Sequence, residues 1–188
     1  MTGMINDELV VMSLDLGPNH TGFMIFWGEE RIAEFGTLLP QLSLSMPKRI
    51  QYTTGILNVL CRVYGVHEVA IEDYAHKLRS ASVTCIREQG GAIKNMLIES
   101  GIKVFIYNVS VIKKFATGLG RATKKDMARS FDIIGKEGKR ITFRREARRK
   151  QSLFTEDEID AWFIGQLHYD NVRRSLLGNE LWSFEQIA

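Results

Sequence analysis

The chain has 188 residues, 45% of them hydrophobic and 25% charged, with a formal net charge of +3. These values predict a single globular domain and exclude a disordered or fibrous protein. No apolar run reaches the roughly 18–20 residues of a membrane span, the first residues lack the features of a signal peptide, and Cys61 and Cys85 have no paired spacing. We therefore expect a cytoplasmic protein without disulfides or structural zinc.

Three strands and a helix are predicted in the first third of the chain. Residues 9–16 are continuously apolar and rich in β-branched side chains, as in a buried strand. A short turn leads to strands at 23–27 and 31–39, and these short connections favour antiparallel neighbours. A helical pattern follows at 47–64, with Gly65 as its C-terminal stop.

The rest of the chain alternates strands with helices. Two further strands are predicted at 68–73 and 103–109, separated by a helix that Gly90-Gly91 interrupts. Ser110 and Thr123 are suitable helix caps, and Thr155 with Glu158 has the spacing of a capping box. The remaining helices are predicted at 83–100, at 111–117 ending at Gly118, at 124–134 ending at Gly135, and at 156–174.

One α/β domain over residues 1–188 accounts for this order, because no repeat or linker divides the chain. Residues 131–155 are predicted to form a basic insertion, and 175–188 a tail that is either docked or frayed. Between Lys136 and Lys150 the insertion holds eight Lys or Arg and two Glu, a local net charge of +6 that leaves −3 for the rest. Such a block indicates a polyanionic partner, most simply nucleic acid, or else a solvated loop.

Two acids occupy the C-terminal ends of strands that are otherwise apolar, although an isolated carboxylate is costly to bury. Asp15 lies near the end of the first strand and Glu72 near the end of the fourth. If a crossover helix makes these strands parallel neighbours, both acids lie at one sheet edge, where open α/β sheets bind ligands. Asp15 is alternatively a turn residue. We prefer Glu72 to Asp73 because adjacent strand residues face opposite sides and Glu72 shares its side with Ala70.

The last helix contributes two more acids. Asp157 and Asp160 share a helix face with Ile164 and Leu167, so the stripe that packs on the sheet begins with two carboxylates. Asp157 alternatively complements the helix dipole. Four converging carboxylates need a divalent cation, and ligation by oxygen favours Mg²⁺ or Mn²⁺ over zinc. Because paired ions of this kind hydrolyse phosphodiesters, the acids and the basic block together predict a nuclease.

Four segments carry a resemblance to a known family: VMSLDLGPNHTGF at 11–23, VAIEDY at 69–74, VIKKFATGLGRATKKDM at 111–127 and DEIDA at 157–161. In this order they resemble a RuvC-type Holliday junction resolvase of the RNase H-like superfamily. The resemblance implies a five-stranded mixed sheet, three antiparallel strands followed by two parallel ones, flanked by helices. It also implies a Mg²⁺-dependent homodimer that makes two paired, symmetric nicks in a four-way DNA junction.

The resemblance assigns roles to individual residues. Lys124 falls on a basic residue near the scissile phosphate, where it would counter the charge that develops during cleavage. Lys113 falls on a second such residue, and the neighbouring Lys114, Arg121 and Lys125 are predicted to bind DNA with it. The family's carboxylate ligands of two metal ions correspond to Asp15, Glu72, Asp157 and Asp160 of this chain.

Two departures from the family pattern are visible. Close relatives carry an aromatic residue where Ala75 stands here, so Tyr74 or His76 is the candidate for stacking on an unpaired base. The basic insertion is extra, which would suit a viral or phage-type member with broad use of branched DNA. The insertion residues that we predict to contact phosphates are Arg144, Arg145, Arg148 and Arg149.

Other functions stay open at this point: a nuclease for RNA–DNA hybrids, or a branched-DNA-binding module without catalysis. The segment DLGPNHTG also resembles a phosphate loop of actin-like kinases, but those proteins need two such domains. We expect no small-molecule cofactor and no membrane partner. His20 is predicted to be a surface turn residue, and Trp162, Phe163 and Tyr169 are predicted to be core or dimer contacts rather than base-stacking platforms. Residues 89–91 are predicted to mark a close helix approach, at the dimer interface by analogy with the family.

Overall fold

The predicted sheet is present, and this computed structural model describes it through residues 9–29, 31–73, 81–136, 142–143 and 154–187. The strands are β1 (Val10–Leu16), β2 (Thr21–Trp27), β3 (Arg31–Leu38), β4 (Glu68–Glu72), β5 (Lys103–Tyr107), β6 (Thr142–Phe143) and β7 (Glu185–Gln186). The helices are α1 (Met46–Tyr64), α2 (Ala81–Glu99), α3 (Val109–Thr117), α4 (Lys124–Lys136) and α5 (Glu156–Leu176).

The strands lie in the order β6-β3-β2-β1-β4-β5-β7. β1, β2 and β3 are antiparallel neighbours, whereas β4 and β5 run parallel to β1, which confirms the predicted arrangement of five strands. The two additional strands, β6 and β7, are two residues long and lie at the edges of the sheet. Strands this short leave almost no periodic pattern in the sequence, so they were not predicted.

Helices pack on both faces of the sheet, which explains why β1 is apolar at almost every position. Met12 and Leu14 face a core cluster that contains Leu57 of α1 and Ile93 of α2. Val11 faces the opposite cluster, which is built from α3, α4 and α5. Trp162, Phe163 and Tyr169 of α5 are all buried in this second cluster, which agrees with the core alternative of their prediction.

Three local predictions about the helices were wrong. α2 runs through Gly90 and Gly91 without interruption, because buried contacts along the helix outweigh a glycine penalty of about 1 kcal/mol each. The cap of α3 is Asn108, whose side chain accepts a hydrogen bond from the backbone N–H of Ser110. α4 continues past Gly135 to Lys136.

Residues 177–187 of the tail are docked against the body. The Asn171 side chain accepts from the backbone N–H of Trp182 at 2.8 Å and donates to its carbonyl oxygen at 3.0 Å. The indole Nε1–H of Trp182 donates to Asp170 at 2.8 Å, and β7 pairs with β5. These contacts join the tail to α5 and to the sheet edge. No helix within the described ranges has the length and apolar character to cross a membrane.

Candidate active site

Asp15 and Glu72 lie side by side at the carboxyl ends of two parallel strands. The register of β1 and β4 pairs Leu14 with Ile71, so the next residue on each strand is one of the two acids. Both are at least nine-tenths buried, with exposures of 7% for Asp15 and 9% for Glu72. The sheet edge predicted from the sequence therefore holds two buried carboxylates from neighbouring strands.

A capping box fixes where α5 begins. The Thr155 hydroxyl accepts from the N–H of Glu158 at 3.2 Å, and the Glu158 carboxylate accepts from the N–H of Thr155 at 3.0 Å. The predicted capping box is confirmed, and Glu158 is buried at 5% exposure, whereas Glu156 is exposed. The box places Asp157 and Asp160 in the first turns of the helix.

Two small residues let α5 approach the sheet closely. The Ser13 hydroxyl on β1 donates to the carbonyl oxygen of Ala161 at 2.6 Å. A Cβ at Gly22 of β2 would lie 2.4 Å from the carbonyl oxygen of Asp157, a separation that Cβ atoms essentially never show. Sequence reasoning missed both residues, although small side chains within a strand of large apolar ones are a signal for close backbone approach.

Asp160 feels the charge of the other acids. Its pKa is raised to about 6, chiefly by burial and also by the negative charges of Glu72 and Asp157, while Lys124 opposes the shift. These interactions couple the acids of β4 and α5 electrostatically. The sequence-based choice of Glu72 for this cluster agrees with that coupling.

Lys124, at the start of α4, is a cation that faces these acids. Its Nζ lies 3.6 Å from Oδ2 of Asp160 and 3.4 Å from Oε2 of Glu156. Burial by itself would lower the pKa of Lys124, but the charges of Asp160 and Asp15 outweigh it and the pKa is raised. The ammonium is therefore positively charged at neutral pH, lies against Asp160 and feels the charge of Asp15.

His20 lies in the same site, although we predicted a surface turn residue. Its Nδ1 is 2.9 Å from Oδ2 of Asp157, and the side chain is 39% exposed. The turn between β1 and β2 that bears His20 is closed by a hydrogen bond from the N–H of Gly17 to the His20 carbonyl oxygen at 2.9 Å. The closed turn brings His20 next to Asp157. The spacing of residues along the sequence does not reveal this proximity.

The remaining predicted DNA-binding residues fall into two groups. Lys113 is half-buried on α3, while Lys114, Arg121 and Lys125 are exposed on α3, the following loop and α4. They border the loop that leads to Lys124. The other predicted positions lie outside the described residues: Tyr74, His76, Arg144, Arg145, Arg148 and Arg149.

Gln89 is buried and forms a hydrogen bond within this chain. It is 2% exposed, and its Nε2 donates to the Thr21 hydroxyl on β2 at 2.8 Å. Thr21 is adjacent to Gly22, so this hydrogen bond joins α2 to the strand on which α5 rests. The expectation that residues 89–91 lie at a dimer interface stays a prediction.

The donor set of the four carboxylates suits a divalent cation. Among the residues described, no three Asp, Glu, His or Cys side chains converge tightly enough to enclose an ion. However, Asp15 and Glu72 are buried, and Asp160 has a raised pKa because burial and neighbouring negative charges disfavour its ionised form. Lys124 supplies a single positive charge against four acids. A hard cation with oxygen ligands would relieve the remaining repulsion.

Replacing Asp160 by asparagine is expected to stabilise the metal-free protein at neutral pH. The folded-state pKa of about 6 lies above the ordinary 3.8, so ionisation of Asp160 opposes folding increasingly as pH rises from about 4 to about 6. Above that window the cost is about 2–3 kcal/mol. We expect urea unfolding at pH 7.5 in EDTA to show Asp160→Asn more stable by up to this amount, and at pH 4 nearly equal to wild type. Equal stability at both pH values would contradict this electrostatic description.

Comparison of the sequence with known proteins identifies one family. A profile of the family "Crossover junction endodeoxyribonuclease RuvC" matches residues 11–136, more than half of the chain. The RuvC protein of Syntrophomonas wolfei is 27% identical over 120 residues, which are 62% of this chain and 70% of that protein. Asp15, Glu72 and Lys124 fall within the matched range of the profile, whereas Asp157 and Asp160 follow it.

Solved structures extend the likeness to α5. Thermus thermophilus RuvC in complex with a Holliday junction substrate superposes with a TM-score of 0.73 at 16% identity, covering 96% of this chain and all of that one. The yeast mitochondrial Holliday junction resolvase gives a TM-score of 0.57 at 12% identity, covering 88% and 83%. At these identities the likeness concerns the fold, and it confirms the predicted RNase H-like architecture.

Proposed function

The chain belongs to the crossover junction endodeoxyribonuclease RuvC family, and from this premise we propose that it cuts four-way DNA junctions by metal-dependent hydrolysis of phosphodiesters. One observation carries the proposal. Acids from three separate segments, the ends of β1 and β4 and the first turns of α5, gather at one sheet edge against Lys124. A non-catalytic DNA-binding module would have no need of such a costly cluster.

The metal would be held by the carboxylates of Asp15, Glu72, Asp157 and Asp160. We propose two Mg²⁺ ions, with Mn²⁺ able to replace them, because all four ligands are hard oxygen donors. Bound ions of this kind supply Lewis acidity and activate water for attack on the phosphate. The protein's own contribution is to hold the carboxylates at a buried edge, away from competing solvent.

Lys124 would stabilise the charge that develops on the cleaved phosphate. In the free protein its ammonium balances Asp160, and cations that neutralise the acids would release it toward DNA. We expect Lys124→Ala to slow cleavage of bound junction about 100-fold, as removal of one electrostatic donor typically does, while affinity falls only a few-fold. Single-turnover cleavage and gel-shift titration measure the two effects separately.

Arg62→Ala is the matched control for Lys124→Ala, because Arg62 is exposed in the last turn of α1 and lies at the opposite end of β4 from the acids. It should leave both quantities near wild type. If Lys124→Ala loses affinity while the bound complex is cut at the normal rate, Lys124 only binds DNA and the proposed charge-stabilising role is wrong.

The basic insertion would grip the phosphate backbone without reading sequence. Replacing Arg144, Arg145, Arg148 and Arg149 by glutamine is expected to flatten the salt dependence of junction binding, with the slope reduced by about 0.9 for each phosphate that is no longer neutralised. Fluorescence anisotropy over a series of salt concentrations measures this slope. An unchanged slope would mean that these arginines are solvated and do not contact DNA.

A homodimer would present two such sites to the two strands of one junction, and we propose this assembly for paired nicking. A DNA substrate also fits the cytoplasm of a bacterium or of a virus-infected cell. The test is a nicking assay with Mg²⁺ that compares a four-way junction with linear duplex, a flap and an RNA–DNA hybrid. We expect symmetric nicks in the junction with 5′-phosphate and 3′-hydroxyl ends. Preference for the hybrid would favour a nuclease for RNA–DNA hybrids. Binding without nicking would favour a branched-DNA-binding module without catalysis.

A further inference from the structure

We propose that His20 is a positioning residue for the acid cluster: its imidazole, lying directly on the backbone of Gly17, holds the carboxylate of Asp157 in place. Nothing in the family comparison assigns this residue a role. The inference rests on the proposed function, because it concerns how the same site is prepared to bind metal. It adds His20 to the four acids and Lys124 as a further side chain of the site, and it explains why a glycine precedes His20 in the turn.

The contact between His20 and Asp157 is close. Nδ1 of His20 lies 2.9 Å from Oδ2 of Asp157. This nitrogen is itself buried and lacks an aligned hydrogen-bond partner, so the contact has the distance of a hydrogen bond without its angle. A small rotation of either side chain would align the two groups. The aligned hydrogen bond would occupy Oδ2 of Asp157 and leave Oδ1 available to a cation.

The position of the imidazole is set by the turn rather than by chance packing. A Cβ built on Gly17 would lie 2.4 Å from Cε1 of His20, 2.6 Å from Nδ1 and 2.8 Å from Nε2, so the ring occupies the space that any other side chain would need. The neighbouring Asn19 side chain accepts a hydrogen bond from Arg49 of α1. The first contact fits the ring to the turn, and the second joins the turn to α1.

Asp157 needs such a partner more than the other acids do. Asp15 and Glu72 are fixed by rigid strands, whereas Asp157 lies at the very start of a helix with its side chain 17% exposed. Its charge adds to the repulsion on Asp160. Without an inward contact, repulsion would favour rotamers that turn the Asp157 carboxylate toward solvent. An N–H donor at Nδ1 opposes that rotation, as outer-shell donors do for metal-binding carboxylates.

The first test measures Mn²⁺ affinity by electron paramagnetic resonance, together with single-turnover junction cleavage. We expect His20→Ala to weaken Mn²⁺ binding and slow cleavage by about 10–100-fold, with junction affinity unchanged. His20→Asn should retain most of both properties, because its amide nitrogen occupies the place of Nδ1. His20→Gln, whose amide nitrogen replaces Nε2 instead, should behave like His20→Ala.

The second test uses the contact with Gly17. Gly17→Ala displaces the imidazole while leaving His20 present, and the backbone at Gly17 is in a region open to alanine. We expect Gly17→Ala to weaken Mn²⁺ binding in the wild-type background and to have no further effect when combined with His20→Ala. Fully additive effects in this double-mutant cycle would show that the two residues act independently and would overturn the proposal.

The remaining outcomes also decide the question. Wild-type Mn²⁺ affinity in His20→Ala would overturn the positioning role, and so would electron spin echo modulation from a directly coordinated ¹⁴N nucleus, which would make His20 a ligand. If the wild-type protein cuts no junction with any divalent metal, the proposed function fails, while the Mn²⁺ measurements still report on His20. The two failures are therefore distinguishable.

Discussion

Replacing Asp15 by asparagine is expected to slow junction cleavage by about 1,000-fold or more, while junction affinity stays within a few-fold of wild type. Asp15 lies at the buried end of β1, beside Glu72 and within the electrostatic reach of Lys124. An amide of the same shape keeps the fold but removes the charge that would hold a cation. Binding is expected to survive because it depends on Lys and Arg side chains.

The measurement for Asp15→Asn is single-turnover cleavage at saturating enzyme, paired with a gel-shift titration in Ca²⁺. Asp132→Asn makes the same chemical change at an exposed position of α4 and should cut normally. Substantial cleavage by Asp15→Asn would contradict the assignment of the acid cluster as the catalytic centre. Loss of binding together with cleavage would instead indicate that Asp15 supports the fold.

Replacing Gly22 by alanine is expected to reduce cleavage about 100-fold, although the substitution itself replaces no acid, nucleophile or DNA contact. The added Cβ would lie 2.4 Å from the carbonyl oxygen of Asp157 and 2.6 Å from its carbonyl carbon. These are backbone atoms, so a rotamer change cannot relieve the clash and the start of α5 must move by about 1 Å. A misplacement of that size separates Asp157 and Asp160 from the acids on the strands.

Gly55→Ala is the matched control for Gly22→Ala. Gly55 lies in the interior of α1, and a Cβ there meets nothing within 4 Å, so alanine should be neutral or stabilise the helix by roughly 0.5–1 kcal/mol. Cleavage and thermal unfolding are measured for both variants. A wild-type cleavage rate for Gly22→Ala, in a folded protein, would mean that catalysis does not depend on the position of the first turns of α5.

The strands and the four acids were predictable because they obey strong rules. A run of apolar β-branched residues on either side of one acid, as around Asp15, leaves few alternatives to a buried strand with a functional end. The capping box at Thr155 and Glu158 likewise fixes the start of α5 from two residues alone. These signals are local, and the structure confirms the strand β1 and the capping box.

The features that were not predictable depend on contacts between distant segments. The approach of His20 to Asp157 joins residues that are far apart in the chain, and so does the hydrogen bond from Gln89 to Thr21. α2 passes through Gly90 because buried contacts outweigh an intrinsic preference of about 1 kcal/mol.

Another long-range example is a buried hydrogen-bonded network between α5 and the strands β4 and β5. His168 lies between Glu68, at 2.9 Å, and the hydroxyl of Tyr107, at 2.8 Å. Asn171 donates to the same hydroxyl while holding Trp182 of the tail. Nothing in the local sequence around His168 indicates these partners, because they come from β4, β5 and the tail.

The most direct test of the central claim, that acids from β1, β4 and α5 together form one metal centre, is affinity cleavage of the chain by Fe²⁺. Iron that replaces Mg²⁺ generates hydroxyl radicals with ascorbate and peroxide, and these cut the backbone close to the bound ion. We predict cuts near Asp15, Glu72 and Asp157–Asp160, suppressed by excess Mg²⁺ and abolished in Asp15→Asn. Cuts confined to one of these segments, or at sites that Mg²⁺ does not protect, would contradict a shared metal centre.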